Sequence, residues 1–66
     1  MHAYRDPGDA AHAIESVLKE KNLRSADKAN MQTMLKQVRR GNPLDYQQRY
    51  NLWAYVSRYV NHDGAG

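Results

Sequence analysis

Side chains equipped for proton transfer or metal ligation are sparse in this 66-residue chain. His2 and His62 lie near its two ends, and only His12 has companions, Glu15 and Ser16, within one turn of a prospective helix. Nucleophilic or general acid-base catalysis needs a nucleophile, a base and a group that orients the base, and no spacing here supplies all three. Metal ligation fares no better: there is no cysteine, and the three histidines stand far apart with no acidic cluster beside them. The expectation is a non-enzymatic protein without metal or cofactor, in which His12 is a surface residue.

Recognition chemistry is better represented. Five of the six aromatic residues, Tyr46, Tyr50, Trp53, Tyr55 and Tyr59, fall within the last third of the chain. Each ring carries a polar tip that needs a hydrogen-bond partner when buried, so a small core has little use for all of them. On a helical wheel Leu52, Trp53, Val56 and Val60 centre an apolar arc, Tyr59 marks one edge and Tyr46 and Tyr50 the other. Tyr55 then falls on the polar face with Asn51 and Arg58. Because Tyr, Trp and Arg dominate binding hot spots, Tyr46, Arg49, Tyr50, Tyr55 and Arg58 are the candidate partner-binding set. The competing reading is that Trp53 and some tyrosines seal the core with their hydroxyls at its rim.

A second candidate surface is cationic. Lys28, Lys36, Arg39 and Arg40 share the outward side of a segment whose apolar stripe is Met31, Met34, Leu35 and Val38. Residues 23–60 carry seven Lys/Arg against two Asp, a net of +5, whereas residues 1–22 sum to −1. Such a face is either solvated or follows phosphates or an acidic protein surface. The linker Gly41-Asn42-Pro43-Leu44 fits poorly with the short turn of a DNA-binding helix-turn-helix, which leaves nucleic-acid binding as the alternative.

Three amphipathic helices position these residues. The first is expected over 9–22, entered through Pro7-Gly8, with a stripe of Ala10, Ile14, Val17, Leu18 and Lys21. The second spans 25–40, with Ser25 as N-cap and Gly41 supplying the left-handed residue that ends it. The third spans 45–61 and starts with the capping-box spacing of Asp45 and Gln48; residues 62–66 read as a tail. The fold class is all-α, a small three-helix bundle in a single domain, whose core draws on Ile14, Val17, Leu18, Leu23, Met31, Met34, Leu35, Val38, Leu44, Leu52, Trp53, Val56 and Val60.

A domain of this size buries about 60 % of its extended surface and is too small for a deep enzymatic cleft. Without disulfides the core must hold the fold alone, as a monomer or a weak homodimer. No run is apolar enough to span a bilayer and the leading residues lack a signal-peptide core, so a soluble, cytoplasmic protein is expected.

The segment from Met31 to Tyr59 resembles a helix-turn-helix-like hairpin found in bacteriophage and prophage proteins. The resemblance rests on Leu35, the basic pair Arg39-Arg40, Gly41, Leu44, the polar cap Asp45, Gln48 and Tyr59. It covers under half of the chain and departs from the pattern in its aspartate cap, where serine is commoner, and in its extra aromatics. It implies a small phage-encoded accessory protein, active in the host bacterial cytoplasm, that binds and inhibits or regulates a host protein or complex. Anti-CRISPR proteins are one class of this kind.

Overall fold

The computed structural model describes residues 3–60, which form three α-helices: α1 (Pro7–Leu18), α2 (Ser25–Arg39) and α3 (Tyr46–Tyr59). They pack as a small all-α three-helix bundle. α1 lies against both other helices, while α2 and α3 approach each other more loosely. Among the described residues no helix is long and apolar enough to cross a membrane. The expected tail 62–66, Asn61 and the histidines His2 and His62 lie outside the described residues.

α1 is shifted relative to the expected 9–22. Asp6 caps it, its carboxylate accepting from the Gly8 and Asp9 amides at 3.0 and 3.3 Å, which puts Pro7 in the first turn where its missing N–H costs nothing. The helix stops at Leu18, and Lys21 lies exposed in the following turn instead of extending the stripe. Ser25 is likewise not the cap of α2. Arg24 occupies that place, with no side-chain hydrogen bond to the helix.

The other end of α2 and the start of α3 follow the expected chemistry. Gly41 takes φ +87°, the left-handed region open to glycine, and the Gly41 and Asn42 amides donate to the Val38 and Gln37 carbonyls. Asp45 forms the complete capping box with Gln48: the Gln48 amide donates to Asp45 Oδ1 at 2.7 Å, and the Asp45 amide donates to Gln48 Oε1 at 3.0 Å.

The core comprises Ala10, Ala13, Ile14, Val17, Met31, Met34, Val38, Leu44, Leu52 and Tyr59, with Ile14, Val17, Met31 and Leu52 fully enclosed. Leu18, Leu23, Leu35, Val56 and Val60, expected inside, are half-buried against it, as are Tyr4 and Tyr55. Trp53 is a clear correction, since it is 45 % exposed. The buried arc of α3 runs through Gln48, Leu52, Tyr55 and Tyr59, rotated by roughly 85° from the arc centred on Leu52, Trp53, Val56 and Val60.

The cause of the rotation is the chemistry of α2. Tyr59 donates its hydroxyl to Asp27 Oδ2 at 2.5 Å, and Asn30 Nδ2 donates to the Tyr55 hydroxyl at 3.3 Å. Phenols whose oxygens are received in this way can bury their rings, and in this bundle they take the inner side of α3 while Trp53 stays 45 % exposed. Hydrogen bonding to Asp27, with burial second, raises the Tyr59 pKa above its ordinary 10.0, while Arg24 pulls the other way.

Candidate functional site

Rotating Tyr55 and Tyr59 inward turns three other rings outward. Tyr46 is 59 %, Tyr50 48 % and Trp53 45 % exposed. At positions 46, 50 and 53 they occupy one strip of α3 at the three-and-four spacing of neighbouring helical residues. The Tyr50 and Trp53 ring centroids are 6.2 Å apart with a tilt of 42°, and the Arg49 guanidinium lies 5.9 Å from the centre of the Tyr46 ring.

Arg49 is fixed by its surroundings. Its Nη1 donates to the Leu44 carbonyl at 2.9 Å, just ahead of the capping box, so the same local structure that starts α3 also orients the guanidinium. Its Nε is buried and has no hydrogen-bond partner. The α3 sequence YQQRYNLWAYVSRY contains no carboxylate, so Arg49 and Arg58 give this helix an unopposed positive charge.

Two members of the expected partner-binding set leave the strip. Tyr55, expected on the polar face with Asn51 and Arg58, packs against the core, bonded to Asn30 and with its ring centroid 6.4 Å from that of Tyr59. Arg58 is exposed on the side of α3 away from Tyr46, Tyr50 and Trp53. Trp53, assigned by the sequence to the core, is the residue that joins the strip in their place. The signal that points to it is across the seam, in the Asp27 and Asn30 side chains that receive Tyr59 and Tyr55.

The cationic candidates also separate. Arg39 Nη2 donates to Glu15 Oε2 of α1 at 2.8 Å in an exposed ion pair. Lys36 and Arg40 instead line an open recess with Thr33, Gln37 and Asn42. Lys28 is exposed nearer the start of α2. Lys28, Lys36 and Arg40 meet no carboxylate of the described residues within ion-pair distance.

A shallow groove of about 460 Å³ borders the aromatic strip between α1 and α3. Val56, Val60 and Ala13 supply much of its apolar lining, and Tyr4, Asp9, His12 and Ser16 its polar positions. Burial raises the Tyr4 pKa. The Ser16 hydroxyl donates to the His12 carbonyl at 3.0 Å, so it is engaged with the backbone of its own helix and not with the imidazole.

The seam between α2 and α3 is held by polar side chains, among them Asp27, Asn30 and Gln37 of α2, which lie off its apolar stripe. Gln37 Nε2 donates to Gln48 Oε1 at 3.1 Å and to the Pro43 carbonyl at 3.0 Å, and Gln48 Nε2 donates back to Gln37 Oε1 at 2.8 Å. With Asp27–Tyr59 and Asn30–Tyr55 they make three rungs in one antiparallel register, which holds the outer strip of α3 at a fixed angle to the bundle. Searches of protein-family models, curated proteins and solved structures find no match to the chain.

Proposed function

We propose that this is a non-enzymatic helical binding protein that docks a host protein through the outer strip of α3, as an inhibitor or regulator of the phage accessory type. The observation that carries this reading is the exposure of Tyr46, Tyr50 and Trp53 on one strip with Arg49 held among them. Large amphipathic rings around a fixed guanidinium are the composition of a binding hot spot, and they lose little side-chain entropy when covered. With no carboxylate on α3, the partner surface that fits is apolar at its centre and acidic at its edge. The phage setting rests on the hairpin resemblance alone.

Capture from a nuclease-treated bacterial lysate tests the proposal. A specific protein should be retained by the unaltered chain, and Tyr46→Ala combined with Tyr50→Ala should weaken its binding by about 30-fold or more, a loss of hot-spot size. The helical circular dichroism and melting of the double variant should stay close to those of the parent. Retention unchanged by that double substitution refutes the docking strip.

A second reading has its own observation, the Lys36 and Arg40 side chains beside Thr33 and Asn42 with no carboxylate of the described residues within ion-pair distance. If nuclease treatment abolishes capture, and Lys36→Ala with Arg40→Ala flattens a steep salt dependence, the ligand is nucleic acid and this recess follows its phosphates.

A further inference from the structure

Trp53 divides the α3 strip into two unlike halves. On its N-terminal side Tyr46 and Tyr50 stand out from the surface with Arg49 beside them, whereas on its C-terminal side Val56 and Val60 line the groove against α1. One half is a ridge ending in a cation. The other is a hollow whose α1 wall carries a carboxylate, Asp9, and that carboxylate has no ion-pair partner among the described residues.

A surface with a ridge and a hollow on either side of a pivot is complementary to itself under a two-fold rotation, which uses each half twice. Laid antiparallel on a copy of itself about Trp53, α3 brings Tyr46, seven residues before the pivot, level with Val60, seven after it. Arg49, four before, comes level with Ser57, four after, next to Val56 and the groove wall that holds Asp9 and His12. Arg49 uses one guanidinium nitrogen on the Leu44 carbonyl and keeps donors for a carboxylate opposite it. An α3 with no acidic residue would repel its copy if the helices met alone, and the Asp9 wall supplies the missing opposite charge twice over.

We infer that a second copy of this chain covers the aromatic strip, in an antiparallel two-fold dimer centred on Trp53, and so withholds the docking face from any other protein. The inference rests on reading that strip as the docking face and adds its regulation. The exposed parts of the three rings amount to on the order of 300 Å² per copy, since an aromatic side chain presents about 150–250 Å² in all. With Val56, Val60 and Arg49 included, the interface stays below the roughly 1,200–2,000 Å² of stable complexes. The dimer is therefore weak, and monomer and dimer exchange as concentration changes.

Sedimentation of the unaltered chain from about 1 to about 500 μM, with tryptophan emission recorded on the same samples, provides the test. The mass should rise from monomer towards dimer, and the emission should move to shorter wavelength in parallel, because Trp53 is the one tryptophan of the chain. Arg49→Asp alone and Asp9→Arg alone should each stay monomeric. An equimolar mixture of the two should dimerise, because the mixed interface sets one introduced charge against the other and keeps one original pair.

Helical circular dichroism of each variant guards against misfolding, and the emission of the unaltered chain carries the test independently of any variant. A constant monomer mass, a dimer with unshifted Trp53 emission, or a mixture no better than its components overturns the inference. A monomer that still loses its captured protein on Tyr46→Ala with Tyr50→Ala refutes the dimer and leaves docking standing, whereas a dimer that captures nothing does the reverse.

Discussion

Replacing Gln48 by alanine should cost about 2 kcal/mol, although the residue lies at the rim of the bundle. Its side chain makes three hydrogen bonds: Nε2 donates to Gln37 Oε1 at 2.8 Å, and Oε1 accepts from Gln37 Nε2 at 3.1 Å and from the Asp45 amide at 3.0 Å. A net contribution of about 0.5–1.5 kcal/mol per bond, with the exposed capping arm at the low end, gives the total. Gln37 keeps the Pro43 carbonyl as an acceptor, which limits the penalty for its abandoned amide. For a chain of this length the whole stability is about 3–10 kcal/mol, and the loss should lower the melting temperature by about 8–16 °C. Urea unfolding followed by circular dichroism measures it. Gln48→Glu keeps both acceptor roles and loses only the donor, so it should cost about half as much. A cycle with Gln37→Ala should show about 1 kcal/mol of coupling. A loss under about 0.5 kcal/mol for Gln48→Ala, or strict additivity with Gln37→Ala, would refute the claim that this amide pair holds the α2–α3 seam.

Leu52→Ala should cost about 3 kcal/mol, the transfer of three buried carbons plus a cavity term, while Tyr46→Ala should cost about 1 kcal/mol or less because its ring is 59 % exposed; urea unfolding of both checks the orientation of α3. Alkaline titration of the melting temperature should expose the Tyr59–Asp27 bond. The folded-state pKa of Tyr59 is raised above 10.0, so above that pH the folded chain holds a proton that the unfolded chain releases. Its stabilisation is complete below about pH 10 and is lost as pH rises through the folded value, and Tyr59→Phe should reduce the alkaline slope to the share contributed by Tyr4, whose pKa burial also raises. An alkaline slope unchanged by Tyr59→Phe would remove this bond from the account.

Where the backbone fixes its own chemistry, the sequence was a good guide. Gly41 and the Asp45–Gln48 capping box act within a few residues, and both the end of α2 and the start of α3 follow from them. Asp6 acts locally too, but as a cap ahead of Pro7 it starts α1 two residues before the expected Asp9. The orientation of α3 was not legible, because it depends on what α2 offers across the seam. Counting apolar residues favours Trp53 and Val60 over Tyr55 and Tyr59, and only the placement of Asn30 and Asp27 opposite the two phenols reverses that order. The candidate site was legible in composition and shifted in membership. Tyr46, Arg49 and Tyr50 share one strip, Trp53 joins them, Tyr55 turns inward, and Arg39 is engaged by Glu15 from a helix 24 residues away.

The polar seam between α2 and α3 also limits how the sequence can drift. Two aliphatic helix faces can slide by a turn and still find apolar neighbours, so substitutions there are absorbed one at a time. Three directional rungs, Asp27–Tyr59, Asn30–Tyr55 and Gln37–Gln48, allow one alignment only, and a slip of one turn would leave all six groups facing the wrong partners. The outer face of α3, which no rung reaches, is thus free to change its rings and charges while its angle to the rest of the molecule stays fixed. Freedom in the rings and charges of the outer face and constancy in the angle at which it is held therefore fall on opposite sides of a single helix.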